Sequence, residues 1–260
     1  MSGSIIVRDP VTDEIDYEWV AVTEDNTTVA QSAIDYDLDD EFPWASYAIE
    51  NSIYQERAGN ISPLLTDVEA VMDDGTSVLL KIRYVSDAEM PVGLRLSETY
   101  TVKDAQGRTL SVDQINITAP IGPNIEDVFD FRQQSIVYDP ESGRVDFIST
   151  LSLAGVRESI DYDVTTGQRD YVYIQQADGG TISEDYNAAN GVLDYRRVTS
   201  ADGGSLDQDY DSQGRLDYAV ERLADGRMRV TDYDLANQHD WASYSILYAA
   251  SGAIESVTVL

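Results

Sequence analysis

A unit of about 24 residues recurs along the C-terminal half of the chain. Each unit opens on a tyrosine, and in four units a glycine follows four or five residues later; the lead tyrosines are Tyr138, Tyr162, Tyr186, Tyr210 and Tyr233. A second mark, Ala-Asp-Gly, stands at 177–179, 201–203 and 224–226. Self-similarity at a fixed period is the signature of repeat architectures, in which each supersecondary unit contacts only its neighbours. The repeat therefore predicts an extended array and argues against a fold built around one cleft.

The pattern inside one unit predicts a β-hairpin. Residues 215–223 alternate, so that Leu216, Tyr218 and Val220 are expected on one covered face of a strand. Ala-Asp-Gly at 224–226 supplies turn chemistry, and 227–233 form the return strand. The series predicts a meander of hairpins; the predicted units are 138–161, 162–185, 186–209, 210–232 and 233–260, within a repeat domain at 123–260.

The N-terminal half, residues 1–122, is also rich in strand signals but less regular. Hairpins are predicted at 15–36, at 66–86 and at 94–117, with turns at 24–26, 73–75 and 104–107. The segment around Pro120, Gly122 and Pro123 is typical of a linker. The predicted fold class is all-β, with an irregular N-terminal β-domain followed by a β-hairpin repeat meander.

One segment of the N-terminal half repeats in the C-terminal half. Asp35-Tyr-Asp-Leu and Trp44-Ala-Ser-Tyr47 match Asp232-Tyr-Asp-Leu and Trp241-Ala-Ser-Tyr244 at the same spacing. Residues 35–47 are therefore interpreted as a displaced copy of the repeat. A helix at 43–56 is the alternative, because a proline after an acidic cluster is common at a helix N-terminus; the copy favours a strand.

The segments Tyr210-Asp-Ser-Gln-Gly214-Arg-Leu and Tyr186-Asn-Ala-Ala-Asn-Gly191-Val-Leu resemble the YD repeats of Rhs and related bacterial surface and toxin proteins. The resemblance covers about 138–255. It implies a hairpin sheet and, for some members of that family, contact with carbohydrate or cell surfaces. Those proteins build spiralling shells around a toxin; five units are too few to enclose one, so this role is not inferred here.

Composition excludes several classes of function. The net charge of −31 repels nucleic acid and anionic membranes. It suits either a well-hydrated surface or the binding of divalent cations. The chain contains no cysteine, so disulfides and thiol chemistry are excluded. Its first residues lack the pattern of a Sec signal peptide, and no apolar run is long enough to insert into a membrane.

No catalytic set is apparent. Histidine occurs once, at His239 in a predicted turn, and no phosphate-binding loop or nucleophile elbow is present. We therefore predict that the protein is not an enzyme. A carbohydrate-active enzyme using paired carboxylates is an alternative, because acids are abundant. The acids at Asp146, Asp170, Asp194, Asp217 and Asp240 recur by repeat position, which favours a structural role.

Calcium is the cofactor considered for this chain. Asp35, Asp37 and Asp39 have the spacing that opens an EF-hand loop, but position six is Asp40 and position twelve is Ser46. Aspartates also flank lead tyrosines, at 161 and 163, 209 and 211, and 232 and 234. These pairs are expected to cap turns. Calcium binding by an exported β-repeat protein is the alternative.

The second candidate site is an aromatic ladder, which recurs eight or nine residues after each lead tyrosine; it consists of Phe147, Tyr171, Tyr195, Tyr218 and Trp241. It could bind sugars or a protein partner, or form the covered face of the sheet. We predict a structural or adhesive protein of a phage virion or bacterial surface assembly. Its expected partners are other subunits, a second copy or carbohydrate, and its location is a virion or cell surface, with the cytoplasm as an alternative.

Overall fold

The structure, a computed structural model, describes residues 2–24, 27–38, 43–55, 61–85, 94–116 and 131–260. These residues form nineteen β-strands, and no helix occurs among them. Within each of two compact units, Met1–Gly143 and Arg144–Leu260, every strand pairs antiparallel with its sequence neighbours. The predicted all-β hairpin meander is confirmed.

Nine strands belong to the first unit: β1 Ser2–Arg8, β2 Ile15–Glu24, β3 Thr27–Tyr36, β4 Trp44–Gln55, β5 Ile61–Met72, β6 Ser77–Val85, β7 Leu94–Lys103, β8 Thr109–Asn116 and β9 Phe131–Tyr138. Ten belong to the second: β10 Val145–Ser152, β11 Arg157–Tyr162, β12 Arg169–Gln175, β13 Thr181–Asn187, β14 Val192–Thr199, β15 Ser205–Tyr210, β16 Leu216–Arg222, β17 Met228–Tyr233, β18 Ser243–Tyr248 and β19 Ile254–Val259. The linker and domain boundary predicted near Pro120 to Pro123 lie outside the described residues.

The three hairpins predicted in the N-terminal half are confirmed. β2 pairs with β3, β5 with β6, and β7 with β8. The predicted turn residues Asp25 and Asn26 lie outside the described part of the chain. The segment for which a helix was the alternative forms strand β4. Its alternating partners on β3 and β5 supply backbone hydrogen bonds that a helix would have to replace within itself.

The Ala-Asp-Gly segments close one kind of turn. In the turn at 176–180, Gln176 N donates to the Gly180 carbonyl at 2.8 Å, and Gly179 has a φ of 93°. The Asp178 carboxylate accepts from Gly180 N at 2.9 Å. The turn at 200–204 repeats these bonds. A three-residue loop with glycine in the left-handed region matches the twist of the flanking strands, so this tripeptide fixes the register of each hairpin.

The Tyr-Asp segments close a second kind of turn. Asp163 accepts from Thr166 N through its side chain at 2.6 Å and from Gly167 N through its carbonyl at 2.7 Å. A copy that the sequence analysis missed lies between β1 and β2. There Asp9 accepts from Thr12 N at 2.6 Å and from Asp13 N at 3.0 Å. Asp13 takes the place of the glycine, with a φ of 64°.

A β-bulge follows several of these turns. Asp209 lies opposite Tyr218, whereas Tyr210 lies opposite Leu216, so Asp217 is an extra residue on β16. Equivalent register shifts occur at Asp161/Tyr162 and Asp185/Tyr186. The expectation that Leu216 shares a face with Tyr218 is therefore wrong, because the bulge changes the alternation between them.

Turns along the same edge contact one another. A Cβ built on Gly75 would lie 2.9 Å from the Cβ of Ala105, and one on Gly226 would lie 3.2 Å from that of Ala250. These pairs belong to turns separated by two strands. Arg144 also donates to the carbonyl of Val164 in the next turn of its edge, at 3.2 Å. Each hairpin is thus held by its neighbours through the turns as well as through the strands.

Few side chains are fully buried. Ala21, Ile82, Ile160, Val172 and Ala219 are the buried apolar residues of the described chain. On β16, Ala219 is 9% exposed while its neighbour Tyr218 is 38% exposed. The covered face in this strand is therefore the one that carries the alanine, and the tyrosine predicted to be covered faces solvent.

Candidate functional site

Strand register in the second unit brings alternating rings and carboxylates into one line. Phe147 lies opposite Asp161, which lies opposite Tyr171, which lies opposite Asp185. Residues directly opposite in antiparallel strands share a face. We call the complete set the aromatic–aspartate row; it consists of Phe147, Asp161, Tyr171, Asp185, Tyr195, Asp209, Tyr218, Asp232 and Tyr244.

Four of the five residues in the predicted aromatic ladder belong to this row. Two of them, Tyr171 and Tyr218, are 41% and 38% exposed, and Phe147 and Tyr195 are half-buried. The rings are two strands apart, a distance of about 9.6 Å from the usual strand spacing. Trp241 lies before β18 and outside the row, and Tyr244 takes its place opposite Asp232. The long turn at 234–242 displaces the tryptophan.

The aspartates of the second unit fall into two populations. Those in the turns are bonded to backbone amides, which lowers their pKa. The backbone and side chain of Thr166 donate to Asp163 and hold its pKa below the ordinary value. Amides of the neighbouring turn residues likewise lower the pKa of Asp211 and of Asp234. The predicted capping role is confirmed for these three aspartates. It is wrong for the other member of each pair, because Asp161, Asp209 and Asp232 lie within strands.

Three of the four aspartates of the row have no such partners. Asp185, Asp209 and Asp232 are exposed, and no described residue forms an ion pair or a side-chain hydrogen bond with them. Asp161 differs, because burial raises its pKa and the negative charges of Asp146 and Asp170 raise it further. The row therefore presents three exposed carboxylates, those of Asp185, Asp209 and Asp232, between aromatic rings.

One ring of the row is held by a polar network. The Tyr195 hydroxyl donates to Asp207 Oδ1 at 2.6 Å. Arg222 also donates to the Asp207 carboxylate, and Arg197 Nε lies 3.6 Å from its Oδ1. Burial alone would raise the pKa of Asp207, but these hydrogen bonds and the charges of Arg197 and Arg222 hold it below the ordinary value. Tyr195 is thereby fixed in orientation.

The duplicated segments have matching local structure. Asp37 N donates to the Ala45 carbonyl at 3.2 Å, and Asp234 N donates to the Ala242 carbonyl at the same distance. The ring centroids of each tryptophan–tyrosine pair are 6.0 Å apart, with interplanar angles of 47° for Trp44–Tyr47 and 43° for Trp241–Tyr244. The two segments that match in sequence therefore also match in their local backbone and ring geometry.

His239 lies in the second of these segments. Its ring stacks on that of Trp241 with centroids 4.6 Å apart and an interplanar angle of 6°. Its backbone N donates to Asp234 Oδ2 at 2.6 Å. The histidine thus covers one face of the tryptophan ring and supports its orientation, a packing role that the sequence did not reveal.

Of the three residues considered for calcium, the structure describes Asp35 and Asp37. Asp35 lies on β3, opposite Tyr17 and Tyr47, and Asp37 belongs to the following turn. Asp39 lies outside the described residues. Among the residues that the structure describes, no group of three or more potential ligands is arranged to hold a metal ion.

The row combines two kinds of side chain, aromatic rings and carboxylates. Aromatic faces stack on apolar ring surfaces or on cations, and carboxylates accept hydrogen bonds from hydroxyl or ammonium groups. Acids in the row and at the bulges recur with the repeat, so none is singled out by its position for proton transfer. In the described ranges, no helix has the length and apolarity needed to cross a membrane. No family model matches the chain, and no curated protein matches it.

Proposed function

We propose that this is a non-enzymatic adhesive protein that binds carbohydrate through the aromatic–aspartate row. The observation that carries the proposal is the regular alternation of aromatic rings and carboxylates across nine strands of the second unit, in which two rings and three carboxylates are exposed. A sugar ring offers an apolar face for stacking and hydroxyl groups at its rim. The row offers aromatic rings for the apolar face and carboxylates for the hydroxyl groups, and both recur along one direction of the sheet.

The spacing of the row supports an extended polysaccharide as the ligand. A six-membered sugar in an extended chain spans about one strand-to-strand distance, so rings two strands apart would contact every second sugar. The carboxylate between two rings would accept hydrogen bonds from the intervening sugar. The right-handed twist of the sheet turns the row along its length, which suits a flexible polymer better than a rigid crystal face.

The setting is part of the same proposal. A virion or bacterial surface assembly is favoured by the resemblance to YD repeats and by the strongly acidic composition. Acidic surface groups keep such a protein soluble and keep it from adhering to nucleic acid. Hairpins that contact only their neighbours can be added without redesigning a core. Other subunits or a second copy are the expected protein partners.

The test is binding of the purified chain to a panel of immobilised polysaccharides. Substitution of Tyr171, Tyr195 and Tyr218 by serine is expected to weaken binding by about three- to tenfold per ring, because each ring supplies a stacking contact. The matched control replaces Tyr162 and Tyr210 with serine, since these rings lie on the opposite face. Circular dichroism and melting temperature would establish that both variants are folded.

Two outcomes would contradict the proposal. The first is the absence of binding across neutral, acidic and amine-bearing polysaccharides. The second is equal binding by the row variant and the control. Hydrolysis of any polysaccharide, lost on replacing Asp161 with asparagine, would favour the carbohydrate-active enzyme instead, because Asp161 is the row acid with a raised pKa.

A further inference from the structure

The duplicated segments complete two similar clusters, one in each unit. The first cluster consists of Tyr17, Asp35, Trp44 and Tyr47, and the second consists of Tyr218, Asp232, Trp241 and Tyr244. In each cluster the aspartate lies between two tyrosines on neighbouring strands. In each, a tryptophan ring lies 6.0 Å from the second tyrosine.

The two tryptophans occupy corresponding positions of the duplicated segments, Trp44 at the start of β4 and Trp241 shortly before β18. The Tyr-Asp turn at 211–215 closes with the same kind of backbone and aspartate bonds and contains no aromatic residue. Both copies nevertheless have the tryptophan, the tyrosine and the aspartate in one arrangement. The same grouping of two tyrosines, a tryptophan and an aspartate in two places points to a shared ligand.

The electrostatics of both clusters favour a cation. Asp35 and Asp232 are exposed, and neither carboxylate has an ion pair or a side-chain hydrogen bond with a described residue. Two tyrosines lie opposite each aspartate on the neighbouring strands, and a tryptophan ring lies 6.0 Å from one of these tyrosines. The faces of such rings attract ammonium groups. The net charge of −31 raises the local concentration of cations further. A protonated amine on a sugar ring would satisfy the rings and the carboxylate together.

We propose that each unit has one binding site for an amine-bearing sugar, formed by its cluster, so that the chain has two sites of the same chemistry. This rests on the proposed carbohydrate binding and specifies it. The sugar ring would stack on the tryptophan or a tyrosine, and its ammonium group would donate to Asp35 or to Asp232. Charge complementarity selects amino sugars with free amines over their neutral N-acetylated forms.

The experiment is calorimetric titration of the full chain with a fully deacetylated chitin tetramer, and with the N-acetylated tetramer for comparison. We expect two tight sites for the deacetylated tetramer and binding about tenfold weaker for the N-acetylated one. Trp44→Ala and Trp241→Ala should each leave one site, and the double variant should leave none. Asp35→Asn and Asp232→Asn preserve shape and should each weaken one site about tenfold.

The matched controls are Leu38→Ser and Leu235→Ser, which alter other identities of the same duplicated segments and should leave both sites intact. A single site, tryptophan variants that keep both sites, or equal affinity for the two tetramers would overturn the inference. Tighter binding of a lysine-rich peptide than of the tetramer would overturn the assignment to a sugar.

Failure here is distinguishable from failure of the proposed function. Binding to long polysaccharides that depends on Tyr171 and Tyr195, without the two tryptophan-dependent sites, would leave the proposed function standing alone. The opposite result is that the chain has two tryptophan-dependent sites while the Tyr171 and Tyr195 variants bind polysaccharide normally. This result would support the clusters as binding sites and would contradict binding through the aromatic–aspartate row.

Discussion

Tyr195 and Asp207 are joined across strands β14 and β15 by a 2.6 Å hydrogen bond from the phenol to the carboxylate. The same carboxylate accepts from Arg222 and faces Arg197. This network ties a ring of the aromatic–aspartate row to two cations on a surface that is otherwise strongly acidic. It therefore links sheet stability to the orientation of a candidate binding residue.

Replacing Asp207 with alanine should destabilise the fold by about 2 kcal/mol, because it removes the acceptor of two hydrogen bonds, one of them from a charged donor. Thermal unfolding should show a melting temperature lower by about 4–8 °C. Asp240→Ala is the control, since it removes the same charge from an exposed position. A melting temperature that does not fall below that of the control would contradict the assigned role.

Two equivalent turns differ in that one has aspartate where the other has glycine. Exchanging these residue types should change the free energy of unfolding in opposite directions in the two variants. Asp13 has a φ of 64° where Gly143 has a φ of 69°. Asp13→Gly should stabilise the protein by about 0.5 kcal/mol, since glycine adopts this conformation without a steric cost. Gly143→Asp should destabilise it by a similar amount. Chemical denaturation would measure both, and a change of the same sign in both variants would show that the turns are not equivalent.

The contact between turns predicts a difference between two glycine substitutions. Gly75 and Gly107 have φ values of 83° and 78°, but only a Cβ at Gly75 would meet another residue, 2.9 Å from the Cβ of Ala105. Gly75→Ala should therefore cost about 1 kcal/mol more than Gly107→Ala. Adding Ala105→Gly should recover that difference in a double-mutant cycle measured by urea unfolding. Equal costs for the two single variants would show that the turns do not touch.

The capping aspartates predict a pH-dependent contribution to stability. Asp211 accepts from the backbone amides of Gln213 and Arg215, each at 2.9 Å, and the bond from Arg215 is the main cause of its lowered pKa. A carboxylate with a lowered folded-state pKa stabilises the fold fully above its ordinary pKa of about 3.9. That contribution is lost as the pH falls through the lower folded-state value.

Asp211→Ala should accordingly lower the melting temperature by a few degrees at pH 7, and the gap from the wild type should close in strongly acidic buffer. Asp211→Asn retains an acceptor oxygen that does not titrate. The difference in melting temperature between this variant and the wild type should therefore be small and independent of pH. A gap for the alanine variant that persists unchanged at low pH would mean that the ionised carboxylate contributes nothing.

Removal of divalent cations should leave the melting temperature unchanged to within about 1 °C, because the turn carboxylates are satisfied by amides and need no ion. The measurement compares chelator-treated protein with and without calcium at matched ionic strength, since salt alone screens the repulsion among the acids. A calcium-specific rise of several degrees would show that the folded protein binds calcium and would support the calcium-binding alternative.

Much of the fold could be predicted because the turn chemistry is local. Ala-Asp-Gly at 224–226 and the Tyr-Asp turn after Tyr210 mark the ends of each strand, and glycine and aspartate determine their geometry within a few residues. The turn at Asp9 was missed because Asp13 replaces the glycine that marks the others. The aspartate before Tyr17, like that before Phe147, was the signal that could have found it.

The candidate site was harder to predict because it depends on pairing between strands. The ladder of rings could be read from spacing, but the interleaved aspartates Asp161, Asp185 and Asp209 become its neighbours only through register. The bulge at Asp217 and the displacement of Trp241 by a longer turn change the register locally. Such local changes of register cannot be recognised from the alternation of apolar and polar residues along one strand.

The alternation of ring and carboxylate has a consequence for how this protein could diversify. Each added hairpin supplies one more tyrosine and one more aspartate to the same line, whereas a deletion removes one of each. Duplication or loss of a single coding segment would therefore lengthen or shorten the row by one ring and one carboxylate, without altering the chemistry at any existing position.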